Sequence, residues 1–464
     1  MKNTRNRSQN FMKRGGIITV FLMIAHILST GRSIPLSGIV SDRGMAVFAL
    51  TFEWYFVLSL VTTYFLPGFI SRKISLRISR GQYKNARKVF SVSVLTAFVT
   101  GCILSLCFFF FSDVYASEYM LVPYAGFAFK CICLLFPLQA VISCLCGYFE
   151  GHGTMMPTCV SMLIEQLVAF TAALLLSYRF SGYGQKVSAL LVNENYDAAY
   201  GGAAICFALI IGAVIAILFL GGVYLVYQRS IYRQMIGDTT RNREQIKDLI
   251  LQYFQTMIPY VFPAFFLFGD TWLNQRFYFS LLKGESANIT NILNDYGVYY
   301  AKYRPLILIC AVALTCACHF LVSTVSKLAS REAYHQIQVE FQDGLRTILI
   351  AGGVLSLLFT VLSRPLSKIL YHQNVQLTSR LLLVGSFAIL CYALAIYTSA
   401  FVKGLDMPWL SAACWFGCLL FQAFILYLLL NYTSLGVVTL AVMNLIYPLL
   451  ISGVNLLLIH RKLA

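Results

Sequence analysis

The sequence predicts an all-α integral membrane protein of about 12 transmembrane helices arranged in two six-helix lobes, and three observations predict it. Hydrophobic residues make up 59% of the 464, and charged residues only 11%, too few to coat a water-facing surface. The apolar residues gather in runs long enough to cross a bilayer, which takes roughly 20 residues per helix. The excess of 35 basic over 18 acidic residues is concentrated in short segments between those runs, the pattern of cytoplasmic loops rather than of a nucleic-acid-binding face.

Residues 1–15 carry Lys2, Arg5, Arg7, Lys13 and Arg14 without an acid and read as a basic cytoplasmic N-terminus. The apolar run that follows is too long for a signal peptide and lacks a small-residue cleavage site, so it is read as a retained first helix. Spans are predicted at 16–40, 45–70, 89–111, 121–146, 157–178 and 202–227, forming an N-lobe over 16–227. After the second span, Lys73, Arg77, Arg80, Lys84 and Arg87 recur at helical spacing. Such a stripe fixes topology and attracts anionic membrane lipids. The polar stretch 228–248, with Arg229, Arg233, Arg241, Arg243 and Lys247, reads as a cytoplasmic linker. A C-lobe over 249–459 follows, with spans at 249–281, 296–326, 345–362, 381–402, 408–430 and 435–459, and 460–464 forms the C-terminus. An even count of spans places both termini in the cytoplasm.

An internal repeat supports the division. Phe149, Glu150 and Gly151 followed by Met156 and Pro157 recur loosely as Phe401 to Gly404 with Met407 and Pro408. Ser71 and Lys73 after span two are echoed by Ser326 and Lys327 after span eight. Six helices return the chain to its starting side, so the two halves are parallel repeats, a plan common among transporters. Pro35 and Pro67 are expected to break or kink spans one and two. The 14 cysteines, among them Cys131, Cys133, Cys144, Cys146, Cys316 and Cys318, lie mostly in apolar runs and read as small hydrophobes. None of the six histidines has metal-ligand spacing, and neither a metal nor a cofactor is expected. No P-loop, nucleophile elbow or zinc-binding histidine pair is present, so the chain does not read as an enzyme.

The run Gly147, Tyr148, Phe149, Glu150, Gly151, then Met156, Pro157, Thr158, Ser161 and Ile164, Glu165, Gln166, resembles a motif of the stage V sporulation protein B family. Its relatives include the lipid II flippases and other polysaccharide exporters, within the MOP superfamily that also contains the MATE transporters. Arg32 with Ile34, Pro35 and Leu36, then Asp42 and Gly44, and later Gly81, Tyr83 and Ala86, are similar to that family's first three helices in order. The resemblance covers roughly residues 16–178 and thins beyond, where Tyr296, Gly297, Pro305 and Leu306 are the best matches. It implies a MATE/MOP-like fold that works by alternating access. The flippases usually carry fourteen helices, and this chain reads as twelve, the number of a MATE exporter.

Ionisable residues inside a hydrocarbon slab are costly and usually face a cavity or a partner. Arg32, Lys130, Arg276 and Arg304 are the candidates for a cationic cavity that binds a pyrophosphate, the last two and Lys302 lying near span ends. Snorkelling to the interface competes with that role. Glu53, Glu165 and Asp270 are candidates for a coupling ion, H⁺ or Na⁺, or for structural hydrogen bonds. The expected function is a flippase that moves a polyprenyl-pyrophosphate-linked oligosaccharide or peptidoglycan precursor from the inner to the outer leaflet of a bacterial cytoplasmic membrane. Glycosyltransferases or wall-synthesis enzymes are the expected protein partners, with no nucleic acid. Two rivals stand beside it: a cation-coupled multidrug exporter (antiporter) of the MATE type, and a non-transporting scaffold for wall or polysaccharide synthesis. A cationic cavity favours the first reading, an acidic aromatic one the exporter, and no cavity the scaffold.

Overall fold

The computed structural model describes residues 2–120, 122–193, 195–236, 238, 244–282, 289–316 and 318–463. Among them every regular element is helical. Eleven helices are long and apolar enough to cross a membrane, or 12 when Val375–Gly385 and Ala388–Gly404, inclined at 50°, form one bent span.

The N-lobe is built from α1 (Lys2–Gly31), α2 (Asp42–Thr63), α3 (Leu66–Ser79), α4 (Tyr83–Val114), α5 (Leu135–Gly151), α6 (Met156–Leu191) and α7 (Asn195–Ile236). The C-lobe follows with α8 (Ile246–Phe268), α9 (Asp270–Leu282), α10 (Ile289–Val298), α11 (Arg304–Thr315), α12 (Cys318–Ala329), α13 (Tyr334–Val361), α14 (Val375–Gly385), α15 (Ala388–Gly404), α16 (Pro408–Tyr432) and α17 (Val438–Leu463). Shorter helices, Gly126–Ile132 and Ser363–Leu370 among them, complete the described elements.

Proline positions explain the breaks that matter for the site. Span one ends as α1 at Gly31 and resumes as a single turn, Ser33–Leu36, around Pro35. Span two breaks at Tyr64 and Phe65, because Pro67 lies in the first turn of α3, where a missing N–H costs nothing. Pro305 sits likewise in the first turn of α11, and the five residues before that helix, Tyr299–Tyr303, widen into a π turn. At the start of α2 the Ser41 hydroxyl accepts the Gly44 N–H at 3.3 Å, and Asp42 in the first turn complements the positive helix end.

One predicted span is corrected. The single span 249–281 is two helices separated at Gly269, since hydropathy averaged over a window does not register a one-residue break. α7 continues to Ile236, so the first part of the predicted linker 228–248 is helical, while residues 237 and 239–243 lie outside the described residues. The predicted terminal segments are also helical, α1 starting at Lys2 and α17 running to Leu463. Hydropathy reports depth in a bilayer, and a helix continues into water wherever its backbone bonds are satisfied.

The repeat is visible as a packing device. A Cβ on Gly151 would meet the Ile74 side chain at 2.9 Å and the Ser71 carbonyl at 3.1 Å; one on Gly404 would meet Val325 at 2.7 Å and the Val322 carbonyl at 3.2 Å. Thus α5 lies on α3 as α15 lies on α12, each through a glycine at the equivalent place. The lobes themselves meet where α2 faces α10, and there Gly297 lies so near the Asp42 backbone carbonyl that no side chain fits between them.

Candidate functional site: a charged cleft between the lobes

Three adjoining pockets cross the interface between the lobes. The middle pocket, about 160 Å³, is lined by Arg32, Phe48, Phe52, Glu53, Tyr300 and Arg304 among others. The N-lobe pocket, about 280 Å³, includes His26, Arg32, Gln139, Glu165 and Gln166. The C-lobe pocket, about 260 Å³, includes Asp270, Arg304, Tyr392, Ser399 and Lys403. Arg32 is common to the N-lobe and middle pockets and Arg304 to the middle and C-lobe pockets, so a guanidinium stands at each internal boundary.

The broken first span sets Arg32 between α1 and the turn at Pro35, where it is 6% exposed. Its guanidinium carbon lies 5.7 Å and 5.8 Å from the ring centres of Phe48 and Phe52 on α2. Among the described residues no carboxylate lies within ion-pair distance of it. Arg304 differs. It opens α11 after the π turn, stands 5.4 Å over the Tyr300 ring, and its Nη1 donates to Glu53 Oε1. The other Glu53 oxygen accepts from the Tyr296 hydroxyl at 2.8 Å.

A second buried ion pair closes the interface beyond the pockets. Lys302 Nζ lies 2.8 Å from Asp42 Oδ1 and donates to the Gln373 carbonyl at 3.2 Å, and Asn374 Nδ2 donates to Asp42 Oδ2 at 2.6 Å. This cluster marks the Asp42 end of the bundle; the basic stripe of α3 marks the opposite, Lys73 end. There Arg77 makes a two-point pair with Glu244, Nε to Oε1 at 3.0 Å and Nη2 to Oε2 at 2.6 Å, tying the interlobe segment to the N-lobe.

The family described as polysaccharide biosynthesis protein matches residues 11–320, more than half of the chain. The chain belongs to the polysaccharide biosynthesis protein family. Among its relatives are the lipid II flippase MurJ of Bacillus subtilis, 22% identical over 429 residues (86% of this chain, 73% of that one), and stage V sporulation protein B of the same organism, 19% identical over 372 residues (79% and 68%). An inward-facing multidrug resistance MATE family transporter of the MOP superfamily shares the fold at TM-score 0.66 and 12% identity, covering 96% of this chain and 94% of that one. So does a MOP superfamily transporter from Pyrococcus furiosus, described with a binding pocket of reversed polarity, at TM-score 0.63 and 13% identity (96% and 95%). The sequence resemblance and the two-lobed MATE/MOP architecture are both confirmed.

Within this chain the predicted charges separate into two groups. Arg32, Glu53, Glu165, Asp270 and Arg304 all line the cleft. Arg304, expected near a span end, is held inside the bundle by Glu53. Lys130 is corrected: it lies on the short helix Gly126–Ile132 and pairs at 2.6 Å with Asp113, with both side chains substantially exposed. Lys130 sits on the outer face of that helix, whose other face, with Ala128, Phe129, Cys131 and Ile132, is buried. Arg276, half-buried on α9, is likewise absent from the lining of the three pockets. Lys130→Ala is therefore expected to keep wild-type transport and to lose at most about 1 kcal/mol of stability, checked by thermal unfolding beside a transport assay.

The family motif is mostly a packing element. Gly147 and Gly151 admit α3, Tyr148 and Phe149 are buried, Pro157 lies in the first turn of α6, and Thr158 donates to the Cys146 carbonyl at 3.4 Å. Its last two residues reach the cleft: Glu165 accepts from Gln139 Nε2 at 2.5 Å, and Gln166 lines the N-lobe pocket. Sequence reasoning missed Asp42 and Lys302 as partners, Tyr296 as a ligand of Glu53, and Lys403, whose ammonium stands 5.2 Å over Tyr64 and 5.9 Å over Phe268. Asp42 and Tyr296 carried a signal only as matches to the family pattern, and Lys302 as a base two residues from Arg304 in a tyrosine-rich run. Among the described residues no group of three or more His, Cys, Asp or Glu side chains converges as a metal site would.

Proposed function

We propose that this protein flips a polyprenyl-pyrophosphate-linked oligosaccharide or cell-wall precursor between bilayer leaflets by alternating access of its two lobes. The observation that carries the reading is Arg32, a guanidinium buried at the junction of two pockets with no carboxylate within ion-pair distance among the described residues. A buried unpaired cation is costly unless an anion joins it. Guanidinium suits phosphate because its planar fork donates to two oxygens at once. The sugar head, unable to shed its water into hydrocarbon, finds replacement partners in the cleft while the lipid tail stays in the bilayer.

The positive-inside pattern assigns the Lys73 end and both termini to the cytoplasm of a bacterial cell, and the Asp42 end to the outside. Outward movement of each anionic charge then gains about 2.3 kcal/mol per 100 mV of interior-negative potential. The carboxylates Glu165 and Asp270 are the places for H⁺ or Na⁺ to act as a coupling ion, and glycosyltransferases are fitting neighbours. The rival reading, a cation-coupled drug exporter, is favoured by those same carboxylates in an aromatic cleft. Vesicles reconstituted with the purified protein decide between them. Polyprenyl-diphosphate-linked glycan should become accessible on the opposite leaflet, while an organic cation dye should not be transported; the reverse outcome would establish the exporter.

A further inference from the structure

The middle pocket contains two guanidiniums and one carboxylate, and that carboxylate also ties the lobes together. Glu53 belongs to α2 of the N-lobe and is 3% exposed, yet both of its oxygens are held from the C-lobe, one by Arg304 and one by Tyr296. Arg304 is not saturated by this contact. Its Nε is buried and has no hydrogen-bond partner among the described residues, and its side chain faces the same pocket as Arg32. A diphosphate between the two arginines would meet fork-shaped donors on both sides. It would also stand against the Glu53 carboxylate, and like charges at close range in a medium of low dielectric repel strongly.

We infer that Glu53 is a resident stand-in for the phosphate of the cargo: an incoming phosphate or diphosphate takes Arg304 from Glu53, and the loss of that tie frees the lobes to part at the Asp42 end. The inference rests on the anionic-cargo reading above and adds how cargo is sensed. In the empty carrier Glu53 recaptures Arg304 and the lobes close again, so opening follows loading. The Asp42–Lys302 pair lines none of the three pockets. It holds the resting closure without responding to cargo. Linkage is reciprocal, so whatever removes the Glu53 tie also tightens anion binding.

The test uses the full chain in lipid nanodiscs, with inorganic pyrophosphate and a polyprenyl diphosphate as separate probes. Backbone hydrogen exchange is followed in 37–48 and 294–303, and pyrophosphate affinity by calorimetry. Wild-type protein should exchange faster in both segments when a probe is added. Response to the lipid alone would assign the exchange to the membrane-linked headgroup, and response to both to the phosphate group itself. Glu53→Gln should exchange fast without any probe and bind pyrophosphate about tenfold more tightly. Tyr296→Phe, which removes one of the two ties and no charge, should lie between. Wild-type exchange indifferent to both probes, or Glu53→Gln with unaltered affinity, overturns the inference even if the vesicles show flipping. Probe-dependent exchange in a protein that flips no lipid-linked glycan would overturn the cargo assignment alone.

Discussion

Arg32→Ala is expected to abolish most translocation of an anionic lipid-linked cargo while leaving the fold as stable as wild type. A charge-assisted hydrogen bond contributes about 1.5–3 kcal/mol, so losing the guanidinium should weaken cargo binding roughly ten- to hundredfold. The stability side has opposite signs. The substitution gives up ring contacts with Phe48 and Phe52, each of order 0.5–1 kcal/mol. It also removes a buried cation that makes no close ion pair among the described residues. The two offset each other, and the midpoint of thermal unfolding should shift by no more than about 1 kcal/mol of equivalent stability. Arg32→Lys keeps the charge and loses the fork, and should fall between the two in vesicle flipping. Full flipping by Arg32→Ala at equal reconstituted density would remove the basis for an anionic cargo.

Gly297→Ala should be the most damaging single methyl in the protein. The added Cβ would fall inside the Asp42 backbone carbonyl, and a backbone atom has no rotamer by which to yield. Overpacking typically costs about 1–3 kcal/mol, and here relief requires α10 to move away from α2, taking Tyr296 from Glu53 and Lys302 from Asp42. A lower melting temperature and faster hydrogen exchange over 37–48 are expected together. Wild-type melting with wild-type protection would show that α2 and α10 do not approach this closely. Glycine is needed at 297 for the close approach of two backbones, not for an unusual dihedral, since 297 is not among the positive-φ glycines.

Much of the architecture was legible before any coordinate. Apolar run length yielded twelve spans because bilayer thickness imposes it, and the glycines of the repeat marked the two helix crossings that Gly151 and Gly404 make. What hydropathy misread was the place where a break falls inside one apolar run, at Gly269. Among the charges, burial in a span identified Arg32, Glu53, Glu165 and Asp270 as cleft residues. The same criterion failed for Lys130, because it lies on the outer face of a buried helix, where it pairs with the exposed Asp113.

By itself, then, the amino-acid order determined a two-lobed membrane protein of eleven or twelve spans with a short roster of costly intramembrane charges. Hydrophobic length and charge placement act locally along the chain and need no partner to be read. Which charge meets which was decided only by tertiary structure. Glu53 and Arg304 are far apart in sequence, and Asp42 and Lys302 equally so, and each pair forms because the lobes bring α2 against α10 and the π turn that follows it. Arg32 has no ion-pair partner among the described residues although it shares its pockets with Glu165 and Glu53, because Gln139 holds the first carboxylate and Arg304 and Tyr296 hold the second.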